Sequence, residues 1–179
     1  MDDKQKVLLK SLYSAFPTLP TVKPREMFPR HPYHDIERQD IANTIGNVEW
    51  DRIPASILKA EYAALHFFLH DAFIYYLPAY LRLVILDINS SGMIPETLVS
   101  CLSPHKARKF CLFTIIESRV DWLNNVQCKI VLEVLFYIKS YWKETEDWKE
   151  TEDYFGIGLV IGLVRNRLCS NGRERILPL

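Results

Sequence analysis

Neither sign of charge is in surplus: 22 Lys and Arg stand against 22 Asp and Glu, for a formal net charge of zero. A dedicated nucleic-acid binder shows a basic excess or a basic face, so that class begins without support. No C-x-x-C pair occurs. Cys101, Cys111, Cys128 and Cys169 are widely spaced and read as free thiols in a reducing compartment, mostly core fillers. The N-terminal stretch MDDKQKVLLKSLYSAF puts acids first and holds no long apolar run, so a secretory signal is not expected and a cytoplasmic location is. There is no G-x-S-x-G elbow, and no cysteine sits in a family-specific signature for a nucleophile. Gly156-x-Gly158 fails to continue into a dinucleotide fingerprint, because Ile161 stands where the third glycine belongs. The apolar run YFGIGLVIGLV at 154–164 falls far short of the roughly 20 residues a membrane span requires.

What the chain does have is apolar material. Hydrophobic residues make up 49% of 179 positions, enough for one domain that buries about two-thirds of its unfolded surface without disulfides. The richest stretch is LHDAFIYYLPAYLRLVILDIN at 69–89. Polar or helix-interrupting positions there fall at Asp71, Tyr75, Pro78, Arg82 and Asn89, a narrow stripe at helical spacing. A helix apolar around most of its circumference belongs at the centre of a bundle. Pro78 leaves the Ile74 carbonyl without its donor, so a kink is expected.

The other elements arrange themselves around it. The first helix is expected at 2–15, with acids at its positive end and Leu8, Leu12, Ala15 and Phe16 on one face. Five prolines between 17 and 32 rule out helix or central strand and predict an extended arm at 17–34, pinned by Phe16, Met27, Phe28 and Tyr33. Asp35 caps a short helix that Gly46 ends. Trp50–Pro54 opens another, with Pro54 at its first position. A turn at 89–92 precedes a short helix from Pro95, and Thr114-x-x-Glu117 is a capping box. A long helix spans 126–144.

Then WKETED occurs twice in succession, at 142–147 and 148–153. A six-residue shift turns a helix by about 600°, or 240° net, so the two tryptophans cannot share a face. This reads as a tolerated duplication. Residues 141–153 hold two lysines and six acids, whereas the tail 165–179 holds four arginines and one acid. Gly158-x-x-x-Gly162 suits close helix contact, and a buried strand or irregular segment fits the same run.

Three function classes follow. His66 and His70 are four apart and share a face if one helix runs through both; with Asp71 they form a candidate zinc or iron site for a hydrolase or oxygenase, which His31, His34 and Asp35 on the arm could approach. Zincin signatures place Glu beside the first His, whereas Phe67 follows His66. Lys106, Arg108 and Lys109 form a small basic cluster, the only candidate for nucleic acid. Tyr75 and Arg82 on the polar stripe are residue types enriched at protein contacts.

The stretch Trp50-Asp51-Arg52-Ile53, and above all AF-x-YYLPAYL at 72–81, resembles a bacterial family catalogued only as a domain of unknown function. The resemblance runs from the Phe16-Pro17 region to near Tyr141. It implies a small, cytoplasmic, all-helical protein and supplies no catalytic residues. It also implies Thr or Ser at the place of His70, which would make His70 a substituted N-cap. The combined expectation is an all-α single domain over 1–179, a bundle of about six helices around a kinked central helix with a proline-rich arm. Its expected role is that of a non-enzymatic interaction protein, such as an immunity-type or regulatory partner of another protein. No cofactor or membrane is expected, and a homo-oligomer is compatible.

Overall fold

The computed structural model describes residues 1–18, 26–28, 36–103, 119–144 and 156–173. The chain is all-helical, with seven α-helices among the described residues: α1 (Asp3–Ala15), α2 (Ile36–Ile45), α3 (Ala55–Ala60), α4 (His70–Leu86), α5 (Ile94–Leu102), α6 (Asn125–Glu144) and α7 (Ile157–Arg173). Three 3-10 turns join them, at Trp50–Arg52, Tyr62–His66 and Arg119–Trp122.

Local chemistry sets the boundaries. Asp2 is the N-cap of α1: its carboxylate accepts from Gln5 N–H at 2.7 Å, and Gln5 Oε1 accepts from Asp2 N–H at 2.8 Å. This reciprocal box satisfies two otherwise orphaned donors. The Gln5 amide then donates to Ile85 O at 2.8 Å, so the start of α1 is fastened to the end of α4. Gly46 follows α2, but the left-handed residue is Asn47 at φ 63°, a conformation that short polar side chains tolerate. Pro54 is the N-cap of α3 rather than its first residue. Of the run at 154–164, residues 157–164 are neither strand nor irregular and begin α7.

α4 is the centre of the core, packing against α1, α5 and α6. It runs unbroken through Pro78, which is buried. Asp71 is exposed, while Tyr75 and Arg82 are half-buried, so the expected polar stripe is narrower than the sequence pattern implies. Three tyrosines of this helix each donate a hydroxyl to a backbone carbonyl of a different segment: Tyr75 to Thr18, Tyr76 to Ile45 at 3.0 Å and Tyr80 to Glu61 at 2.9 Å. Burial chiefly raises the pKa of all three phenols. Each hydroxyl therefore remains a donor in the native state and satisfies a carbonyl that would otherwise lack a partner.

The segment that precedes α2 is fixed at two described points. Trp50 Nε1 donates to Pro17 O at 3.3 Å. Met27 is fully buried, and its carbonyl accepts from Leu69 N–H at 2.9 Å. Phe16 is buried and Phe28 half-buried, as expected; Tyr33, Asp35, Cys111, the Thr114/Glu117 box, residues 145–153 of the duplication and the end of the tail lie outside the described residues. α6 and α7 form the most extensive helix pair. They run antiparallel, since Arg167 near the end of α7 reaches Asp121 just before α6 at 3.9 Å.

Candidate functional site

His66 ends a 3-10 turn, and α4 starts at His70 with Leu69 as its N-cap. The two histidines therefore do not share one helix face, and His70 is the first helical residue rather than a cap. Their side chains are used separately. His66 Nε2 lies 3.1 Å from Ser100 Oγ on α5, whereas His70 Nδ1 lies 2.7 Å from Asp71 Oδ1 on an exposed edge. Among the described residues no three His, Cys, Asp or Glu side chains come together as a metal-binding group. His31 and His34 lie outside those residues, as do Lys106, Arg108 and Lys109.

What the fold does assemble is a polar junction of four elements. Ser100 Oγ is 3.1 Å from Thr97 O as well as from His66. One hydroxyl serves both neighbours: its hydrogen is donated to Thr97 O, and its oxygen accepts from the imidazole N–H. Arg119 comes in from the third side. Its guanidinium donates to Leu65 O and, at 2.6 Å, to His66 O. These are carbonyls at the end of a 3-10 turn, where intrahelical donors run out. The same guanidinium lies over Phe73 at 4.9 Å and Trp122 at 5.5 Å, and the His70 ring meets Trp122 from outside at 5.2 Å. The planar, weakly hydrated guanidinium suits this position, because an ammonium could not fork between two carbonyls and stack as well.

The electrostatics follow from burial. The His66 pKa is lowered to about 4, first because burial disfavours the imidazolium and second because Arg119 is close. The ring is therefore neutral near pH 7. Cys101, one residue after Ser100, is buried, and burial pushes its thiol up to about 12 against the opposing pull of Arg119. A thiol so shifted stays protonated at neutral pH and is a poor nucleophile. Ser100 is only 8% exposed. The junction's polar atoms face one another and hold the 3-10 turn against α5.

Tyr75 and Arg82, the contact residues expected on α4, are both half-buried. The Tyr75 hydroxyl is engaged by Thr18 O and its ring meets Tyr76 edge-on at 4.9 Å, so it anchors the chain leaving α1. Sequence reasoning missed Arg119 and Ser100. Arg119 carried one signal, a single cation between the apolar residues of IIESRVDWL.

A family model described as a family of unknown function, DUF6714, matches residues 30–155. The chain belongs to that family. The matched span includes α2 to α6 and the whole His66–Ser100–Arg119 junction, whereas α1 and α7 lie outside it. It begins and ends later than the resemblance read from the sequence. No curated protein and no solved structure matches the chain.

Proposed function

We propose that this member of the family is a non-enzymatic protein–protein interaction module, an immunity-type or regulatory partner of another bacterial, cytoplasmic protein. The observation that carries this reading is a contrast between interior and surface. His66, Ser100, Cys101 and Arg119 are turned inward. Large apolar side chains meanwhile stand exposed on α6 and α7, with Val126 at 56%, Phe136 at 37% and Leu159 at 47%. Exposed apolar and aromatic groups among charged neighbours are the composition of a contact surface. No helix of the described residues is long and apolar enough to cross a membrane, which agrees with a protein partner rather than a bilayer.

The test is affinity capture of the tagged protein from its native extract. One protein recovered in near-equal amount is the expected result, and an empty eluate would count against the reading. Stoichiometric zinc or iron in the purified protein, lost in His66→Ala, would replace it with the metal-dependent alternative.

A further inference from the structure

On one turn of α6 two aromatic rings stand side by side, each covered by a cation from a different helix. Tyr137 has Lys4 Nζ of α1 over its ring at 5.3 Å, and Phe136 has the Arg165 guanidinium of α7 over its ring at 4.9 Å. The line Lys4–Tyr137–Phe136–Arg165 thus crosses three helices. Apolar groups continue it. Leu159 is exposed on α7, the antiparallel neighbour of α6, and Val126 lies on the same outward line of α6 as Phe136, with Lys129 and Glu133 between. Val7, one turn beyond Lys4, is exposed as well.

The charges on this face lean one way. Of the described α7 side chains Arg165 lies on this face, and none of them is acidic. Lys4 and Lys129 are exposed, and of the nearby acids Asp3 is held by Lys6 at 2.7 Å and Asp121 faces Arg167. Glu133 is the one acid on the α6 line between Val126 and Phe136. The whole chain is neutral, so among the described residues this is a local excess beside exposed apolar side chains. Cations already stacked on aromatic rings are ordered before a partner arrives, which lowers the entropy lost on binding.

Resting on the interaction reading above, we propose that the face across α1, α6 and α7, centred on Phe136 and Arg165, docks an acidic segment of another protein that presents apolar residues. The apolar groups of the partner cover Phe136 and Leu159, and its carboxylates meet Lys4, Lys129 and Arg165.

The experiment titrates the full-length protein with an amphipathic helical peptide bearing leucine on one face and glutamate on the other, beside a control with lysine for glutamate. Expected is binding of the glutamate peptide alone, weakened by added salt and by about tenfold or more in Lys4→Glu/Arg165→Glu, with Phe136→Ala as a second, uncharged variant that also weakens it. Lys59→Glu, on α3, is expected to leave binding unchanged. No binding, equal binding of the lysine peptide, or indifference to both face variants overturns the proposal. So does displacement of the peptide by duplex DNA, or a sedimentation profile in which the protein self-associates through Arg165. Capture from extract with the same variants separates this proposal from the reading beneath it. A partner retained equally by Lys4→Glu/Arg165→Glu sinks the face and leaves the module, while an empty wild-type eluate sinks the module.

Discussion

Protonating His66 would place an imidazolium close to the Arg119 guanidinium in a largely buried junction. The folded protein holds this pKa near 4 against 6.5 in the open chain, so the native state favours the neutral ring. The associated stability is complete above about pH 6.5 and is lost as pH falls from there toward 4, by at most about 3 kcal/mol. Urea unfolding near neutrality and again at about pH 4.5 is expected to show a larger loss for wild type than for His66→Gln; equal losses would contradict the assignment. Arg119 acts differently, because its two donated hydrogen bonds satisfy buried carbonyls. Arg119→Leu keeps the stack on Phe73 apolar but orphans Leu65 O and His66 O, and roughly 2–4 kcal/mol should disappear from the unfolding free energy. Arg119→Lys is expected to recover little of it, lacking the fork.

At the level of elements, α4 holds its neighbours through single hydroxyls on separate segments. Tyr76→Phe and Tyr80→Phe should each cost about 1 kcal/mol, and the double variant about the sum, since Ile45 and Glu61 share no partner. Chemical denaturation of the three variants checks this; a double variant no worse than one single would mean the ties are not independent. These elements were legible in the sequence to different degrees. The apolar density of 69–89 pointed to a central helix, and Asp2 with Gln5 left a cap at the start of α1. Periodicity served well wherever one face meets a core and the other meets water. It left 157–164 undecided, where Gly158 and Gly162 lower helix propensity and packing on α6 decides instead. It failed for Tyr75, because a polar stripe on a helix reads alike whether the hydroxyl meets water or Thr18 O. The junction was half visible: His66 stood out by type, but its partners lie 34 and 53 positions away, and no local pattern reports a contact of that span.

For the molecule as a whole, the family match and the core do not coincide. Leu12 of α1 and Val164 of α7 are both fully buried in the same hydrophobic cluster as Phe73 and Trp50, yet both lie outside residues 30–155. If this core folds as one body, Leu12→Ala should lower global stability by about 3 kcal/mol without splitting the transition, as read by tyrosine absorbance and circular dichroism together. Two separated transitions would instead mark α1 as an appendage. The tyrosine ties carry a further consequence for the order in which the native protein opens. Amide hydrogens of α4 should be the last to exchange with deuterated solvent. Removing one hydroxyl should release protection on one side only, in α2 for Tyr76→Phe and in α3 for Tyr80→Phe, so the helix would behave as a common post from which each flap swings on its own latch.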